Sequence, residues 1–293
     1  MIGGAVKRPE GSSGAEVGSM PALTQEMVPG EERTLEAYLA VPSRGGPRFP
    51  AIVVVHEIFG PDPHIQSVAR RFAEAGYLAL APNLFTGPIQ ALLTPESIRA
   101  GMAFLRSLPP EVLRDPVAIQ ARISGQPESA RAPLAALFQI QDPGQLRRFG
   151  SDLLRVTRYL RERPDVDPRR VGSVGFCFGG AMSGLLSTLD PDLAAAVVFY
   201  GNNPPADQIP RIRCPVQGHY GAEDHRITDT VPDLARAMEA AGIRFSYHIY
   251  PGAPHAFFND TRPEFYRPEA ARLAWSRTLE FLGASLRPSG GTP

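Results

Sequence analysis

The 293-residue sequence predicts a single α/β domain in which a mostly parallel sheet is covered by helices on both faces. Short apolar segments alternate with amphipathic segments along most of the chain, which is typical of strand-helix-strand units. Several of the apolar segments, such as AIVVVH at 51–56, are continuous, as expected for strands that are buried on both faces. The composition, 43% hydrophobic and 20% charged, is that of a globular protein.

The first hundred residues contain three predicted strands and one predicted helix. Alternating apolar side chains predict a strand at 33–41, and continuous apolar runs predict strands at 51–56 and 77–81. Between the last two, apolar residues from Ile65 to Ala75 recur at helical spacing, and Gly76 follows as a helix stop.

The same alternation returns from about residue 145. Apolar stripes predict helices within 146–160, from Cys177 onward, at 234–241 and at 275–286. Apolar runs predict strands at 171–176, 193–200, 215–220 and 243–250. These four strands extend the predicted sheet.

The interval 86–145 does not follow the alternation, because eight prolines divide it into short helical pieces. A connection of this length inside a domain is usually functional or has structure of its own. We interpret it as a helical insertion, part of which we expect to form a lid over the pocket. The domain is expected to span 30–286, after a disordered leader at 1–29 and before a mobile tail at 287–293.

The composition excludes several functional classes. Thirty basic and thirty acidic residues cancel, which argues against a nucleic-acid partner, and no apolar run approaches the roughly 20 residues of a membrane span. Lys7 is the only lysine and lies in the leader, which excludes a Walker A loop and a Schiff-base or pyridoxal phosphate enzyme. The two cysteines, Cys177 and Cys214, cannot build a disulfide scaffold and favour a reducing, cytoplasmic location.

Two partial motifs do not complete a cofactor site. His56 and Glu57 begin a His-Glu-x-x-His zinc motif, but Gly60 occupies the position of the second histidine. The glycines around residue 175 do not spell the Gly-x-Gly-x-x-Gly of a dinucleotide fold. We therefore expect neither a metal nor an organic cofactor.

The motif GFCFGG at 175–180 indicates a nucleophile. It overlaps the end of the apolar strand VGSVGF and opens a helix, which is the setting of the Gly-x-nucleophile-x-Gly elbow, here with Cys177 as the nucleophile. The helix N-terminus favours a thiolate, and the backbone N–H of Phe178 is placed to bind an oxyanion. The alternative is a structural cysteine on a tight turn.

A cysteine nucleophile requires a base and a residue that orients the base. His255 follows the strand RFSYHIY and Asp224 follows the strand PVQGHY, so both lie where active sites of parallel sheets form. Glu223 is a competing acid, and Asp224 could instead cap a helix. Four other histidines are weaker candidates for the base. His219 and His248 lie within predicted strands, and His64 and His225 are expected on the surface.

The chain resembles the dienelactone hydrolase family of α/β-hydrolases. The matching segments are HEIFG at 56–60, RRFAEAGYLALAPNLF at 70–85, GFCFGG at 175–180, HYGAEDHRI at 219–227 and PGAPHAFFND at 251–260. The resemblance implies an α/β-hydrolase fold and a triad of Cys177, Asp224 and His255. It also implies that Glu57 lies near the resting cysteine and helps it lose its proton. The backbone N–H of Ile58 is the expected second oxyanion donor.

Three positions depart from the family pattern. Asn259 stands where an arginine helps to hold the substrate carboxylate in the dienelactone-specific enzyme, and Arg262 is nearby but shifted. Asn83 replaces the aspartate of the family's Pro-Asp-Leu segment. We take Asn259 and Arg262 as candidate substrate contacts. Because a buried, unpaired carboxylate costs several kcal/mol, neutral esters or lactones are expected to be preferred over carboxylate-bearing ones.

The sequence therefore predicts a hydrolase that cleaves a small ester or lactone through a cysteine acyl-enzyme. Two alternatives stay open: thioester hydrolysis or another acyl transfer by the same triad, and a catalytically silent binding protein with the same fold. The expected partner is a small-molecule substrate, with no nucleic acid and no membrane, and the protein is expected to be a monomer or homodimer.

Overall fold

A mixed sheet of eight strands lies at the centre of this computed structural model, which describes residues 21–113 and 115–286. The spatial order of the strands is β1-β2-β4-β3-β5-β6-β7-β8. β1 and β2 run antiparallel to their neighbours, and the strands from β4 to β8 are parallel. The strands are β1 (Leu23–Val28), β2 (Leu35–Ala40), β3 (Phe49–Val55), β4 (Leu78–Pro82), β5 (Val166–Phe176), β6 (Ala195–Phe199), β7 (Val216–Gly221) and β8 (Phe245–Tyr250).

The helices follow the strands in the predicted alternation. They are α1 (Pro63–Glu74), α2 (Pro88–Leu92), α3 (Pro95–Ser107), α4 (Pro110–Leu113), α5 (Pro116–Ser124), α6 (Glu128–Gln139), α7 (Pro143–Glu162), α8 (Phe178–Leu189), α9 (His225–Thr228), α10 (Val231–Ala240) and α11 (Pro268–Ser285). None of the helices within the described ranges is both long and apolar enough to cross a membrane.

Prolines and polar caps determine where several helices begin. Asp62, Thr94, Asp115 and Asp142 each accept a hydrogen bond from a backbone N–H of the first turn, and each is followed directly by proline. Proline suits the first helical position because its missing N–H would have no partner within the helix. These local signals explain why proline-rich segments nevertheless form helices.

Each central strand contributes side chains to two cores. In β3, Ala51, Val53 and Val55 face a core shared with α7 and α8, whereas Ile52 and Val54 face a core shared with α1 and α11. Because both faces of the strand are buried, its side chains must be apolar on both faces and do not alternate with polar ones. This burial confirms the interpretation of AIVVVH as a continuous apolar strand.

The insertion packs partly on itself and partly on the main core. Ile119, Ile123 and Leu134 form a small cluster between its helices. Leu93 and Leu137 instead belong to the core that contains Phe178. The described residues of the interval 86–145 therefore fold as helices α2 to α6 attached to the main domain, while a lid over the pocket remains a prediction.

The structure corrects the predicted start of the domain. Leu23–Val28 fall within the predicted disordered leader, but they form β1 and pair along the whole length of β2. Val28 is fully buried, and the strand covers the edge of β2, whose backbone groups would otherwise lack partners. The polar centre of LTQEMV has no clear strand periodicity, which explains the error. Residues 1–20 and the predicted tail, 287–293, lie outside the described residues.

Candidate active site

Cys177 lies on a strained turn between β5 and α8. Its backbone angles are φ 54° and ψ −115°, in a region that L-residues rarely adopt. The turn requires glycines: a Cβ on Gly175 would lie 1.8 Å from the carbonyl oxygen of Gly179, and one on Gly179 would lie 2.2 Å from that of Val55. The elbow geometry predicted from GFCFGG is therefore present, with the thiol at the N-terminus of a helix.

Three predicted residues form a continuous chain of hydrogen bonds, called here the Cys-His-Asp chain. The Nε2 atom of His255 lies 3.1 Å from the Cys177 Sγ, and its Nδ1 atom lies 2.5 Å from Asp224 Oδ2. The Asp224 side chain is 8% exposed and that of His255 32%. A buried carboxylate beside a more accessible imidazole and thiol is the arrangement of a nucleophile, a base and an orienting acid.

The parallel strands bring these residues together. Cys177 follows β5, Asp224 follows β7 and His255 follows β8, so all three lie at the carboxyl edge of the sheet. The backbone reinforces this arrangement, because the Cys177 N–H donates to Phe199 at the end of β6. Sequence separations of 31 and 78 residues thus become direct contacts.

The electrostatics of the Cys-His-Asp chain favour the charged form of the His255 imidazole. Burial alone lowers the pKa of His255, but the neighbouring Cys177 and the hydrogen bonds to Asp224 and Cys177 outweigh it and raise the pKa to about 10. Cys214 differs, since burial raises the pKa of its thiol to about 12. Of the two thiols, only Cys177 has a base within hydrogen-bond distance in the described structure.

Two backbone N–H groups, those of Phe178 and Ile58, are the predicted oxyanion donors. Phe178 is the first residue of α8, so its N–H has no partner within the helix. Ile58 lies in the turn after β3, and in the described structure neither N–H donates to another protein group. Both are thus free to bind the oxygen of a reacting carbonyl.

Glu57 is buried and receives two hydrogen bonds. Its carboxylate is 2% exposed and accepts from the Tyr200 hydroxyl at 3.1 Å and from Asn259 Nδ2 at 2.8 Å. The Tyr200 ring in turn contacts the His255 ring at a centroid distance of 5.1 Å. In this conformation the Cys177 thiol is hydrogen-bonded to His255, and Glu57 is linked to the base through Tyr200.

The two candidate substrate contacts occupy different environments. Asn259 is fully buried, and its observed partners are Glu57 and Thr261. Arg262 is half-buried, with its guanidinium 3.6 Å from the centroid of the Phe59 ring. A contact of either residue with a substrate remains a prediction.

Two residues of this region were missed in the sequence. Tyr200 has φ 38°, and its hydroxyl joins Glu57 to the His255 environment; its position directly after strand β6 was the available signal. His56 was considered only as part of a zinc motif. It is fully buried, burial lowers its pKa to about 4, and its Nε2 accepts from the Leu84 N–H while Nδ1 donates to the Glu57 carbonyl.

The other histidines and the competing acid lie elsewhere. His64 was expected on the surface, but this prediction is wrong: it is 1% exposed, and its Nδ1 lies 3.1 Å from Asp260, 196 residues away. Glu223 is exposed and His219 is buried against Tyr250. Within the described ranges, no group of three or more histidine, cysteine or acidic side chains is placed to hold a metal ion.

The chain is similar to one group of known proteins. The model of the dienelactone hydrolase family matches residues 35–286. A protein of Saccharolobus solfataricus named carboxymethylenebutenolidase is 36% identical over 85% of this chain and 93% of its own length. A protein of the same name from Methylorubrum extorquens is 31% identical over 87% of this chain and 78% of its own length. The crystal structure of a dienelactone hydrolase from Klebsiella pneumoniae matches with a TM-score of 0.65 and 29% sequence identity. The match covers 89% of this chain and 98% of the Klebsiella chain.

Proposed function

The chain belongs to the dienelactone hydrolase family and is a hydrolase of that type, and we propose that it cleaves a small ester or lactone through a cysteine acyl-enzyme. The observation that carries this proposal is the Cys-His-Asp chain, with 3.1 Å between Cys177 Sγ and His255 Nε2 and 2.5 Å between His255 Nδ1 and Asp224 Oδ2. The Cys-His-Asp chain also argues against a catalytically silent binding protein, because a binding role requires neither a strained elbow nor a base hydrogen-bonded to the thiol.

In the first half of the reaction Cys177 attacks the carbonyl carbon. Its proton passes to His255, whose imidazolium is stabilised by Asp224. The carbonyl oxygen becomes an oxyanion and receives hydrogen bonds from the N–H groups of Ile58 and Phe178. As the carbon–oxygen bond breaks, His255 returns a proton to the leaving alkoxide, and a thioester remains on Cys177.

In the second half water replaces the alcohol. His255 accepts a proton from the water molecule, which attacks the thioester carbon. The tetrahedral intermediate collapses, the thiolate leaves and the carboxylic acid product is released. For a lactone, alcohol and acid are parts of one molecule, so the ring opens in the first half and the product leaves only after the second.

Glu57 is proposed to help Cys177 lose its proton when substrate arrives, by receiving the thiol proton on its way to His255. Its two oxygens already accept one hydrogen bond each, from Tyr200 and Asn259. A carboxylate has about four lone-pair sites, so a thiol proton can be received without breaking either bond. Tyr200 and Asn259 would then hold the carboxylate in position.

The substrate class is proposed to be neutral. Asn259, in the position of the family's arginine, donates to Glu57 and has no charge to offer a substrate carboxylate. Arg262 is the nearby cation, and it lies on the Phe59 ring. We further propose that the protein acts in the cytoplasm without a cofactor, as a monomer or homodimer.

The decisive experiment is a search for the acyl-enzyme. A set of small esters and lactones would be mixed with excess enzyme, quenched in acid and analysed by mass spectrometry of the Cys177 peptide. The expected result is an acyl adduct on Cys177 that forms and decays at the rate of turnover. Hydrolysis of a good substrate without any adduct on Cys177 would contradict the mechanism, and adducts from thioesters alone would favour the thioesterase alternative.

A further inference from the structure

A cleft of about 420 Å³ has none of the three residues of the Cys-His-Asp chain in its lining. It is bounded by strands β1 and β2, the loop before α1 and the start of the helical insertion. Its lining includes Glu36 and Tyr38 of β2, Phe59 and Asp62 of the loop, and Asn83 after β4. Phe85 of its wall contacts the ring of Phe178, the residue after Cys177, so the cleft borders the elbow without including the nucleophile.

The charged side chains of this cleft are acidic. No lysine, arginine or histidine is among its described lining residues, which include Glu36, Asp62 and Glu26. The Glu26 carboxylate accepts a hydrogen bond from the Tyr159 hydroxyl of α7, so it already has a partner within the protein. Glu36 is exposed and has only a long 3.4 Å contact to a glutamine amide. Burial raises the pKa of Asp62 more than the Ile65 N–H and the nearby Arg262 lower it. A positive charge in the cleft would stabilise both carboxylates.

Asn83 offers a hydrogen-bond donor to the same cleft. Its side chain is 5% exposed, and its Oδ1 accepts from the Phe85 N–H at 3.1 Å, which determines the orientation of the amide. The Nδ2 atom then has no acceptor among the described residues, and it is not one of the fully enclosed polar atoms without a partner. A nearly buried donor that lines a cleft and lacks a partner indicates a ligand oxygen.

The walls of the cleft suit an apolar body. Tyr38, Phe59, Phe85 and Leu93 line it, together with Met27, whose side chain is 54% exposed. One face of the Phe59 ring is covered by the Arg262 guanidinium, which is not part of the cleft lining, so Phe59 contributes an apolar surface to the wall. Aromatic side chains and carboxylates together favour an organic cation over a metal ion or a purely apolar ligand.

We propose that this cleft binds a protonated amine that has an apolar body and a carbonyl oxygen. Its ammonium group contacts the carboxylates of Glu36 and Asp62, its carbonyl oxygen accepts from Asn83 Nδ2, and its body lies against Tyr38 and Phe59. Cys177 does not line the site, so binding can be measured separately from the proposed hydrolysis.

Probes with the same aromatic body test the charge. L-phenylalaninamide carries an ammonium and a carbonyl, N-acetyl-L-phenylalaninamide is neutral, and N-acetyl-L-phenylalanine is anionic. Titration calorimetry is expected to show about tenfold tighter binding of the cation than of the neutral probe, and weaker binding still of the anion. Phenethylamine, which lacks the carbonyl, is expected to bind several-fold more weakly than L-phenylalaninamide.

Variants locate the site. Glu36→Gln and Asp62→Asn should each weaken binding of L-phenylalaninamide by about three- to tenfold, and asparagine at 62 keeps the helix cap. Glu239→Gln, an exposed position on α10, is the matched control and should bind as the wild type does. Protein alkylated at Cys177 should also bind unchanged. Equal affinity for the three charge forms, no effect of the two cleft variants, or loss of binding on Cys177 alkylation would overturn the proposal.

Discussion

Asp224→Asn tests the charge that supports the proposed base. The carboxylate is 8% exposed and lies 2.5 Å from His255 Nδ1, so the substitution keeps the shape but removes a nearly buried partner of the imidazolium. Removal of one partner from a buried ion pair costs about 3–5 kcal/mol. Because the His255 side chain is 32% exposed, water recovers part of this loss, and we take about 3 kcal/mol.

This free energy predicts two measurable changes. It corresponds to a loss of about a hundredfold in kcat/KM. It also lowers the pKa of His255 from its raised value of about 10, because the charged form loses its partner. Hydrolysis of p-nitrophenyl acetate gives the first quantity. The pH dependence of Cys177 alkylation by iodoacetamide reports the second, and the inflection that belongs to His255 is expected at lower pH in the variant than in the wild type.

Glu223→Gln is the matched control, since it is the neighbouring acid and is exposed. It should keep kcat/KM within about twofold of the wild type, as surface substitutions usually do. A loss of less than tenfold in a folded Asp224→Asn protein would refute the reasoning. An equal loss in Glu223→Gln would show that Asp224 was wrongly assigned as the orienting acid.

Four further predictions follow from the same site. Cys177→Ala should lower ester hydrolysis by about a thousandfold or more, whereas Cys214→Ala should keep most of it; similar losses in both would contradict the assignment. Glu57→Gln should fold but lose much of its turnover and alkylate with an altered pH profile, and unchanged behaviour would leave Glu57 structural. A neutral lactone should show a higher kcat/KM than its carboxylate-bearing analogue, and the reverse order would indicate that Arg262 binds the carboxylate. Gly179→Ala should prevent folding or lower the melting temperature strongly, because the new Cβ would meet backbone oxygens at 2.2 and 2.5 Å; a wild-type melting curve would show that the turn can relax.

The elements near the reaction centre could be predicted because their signals are local. The glycines around Cys177 are required within a six-residue turn, so the elbow is visible in the sequence itself. Continuous apolar strands and capped helices likewise depend on neighbours a few residues away. The carboxyl ends of parallel strands share one edge, so residues that follow different strands, such as Cys177, Asp224 and His255, could be expected to meet there.

Tertiary structure alone decided which polar side chains are buried together. Glu57 receives its hydrogen bonds from Tyr200 and Asn259, at sequence separations of 143 and 202 residues. His64 is likewise buried and lies against Asp260, although it was expected on the surface. Sequence periodicity does not predict such contacts. A polar residue is tolerated in the interior when it finds a hydrogen-bond partner, and that partner can lie far away in the sequence. The sequence thus determined the described strands other than β1, the elbow and the candidate triad, while packing determined how Glu57 is held and which surfaces remain open to ligands.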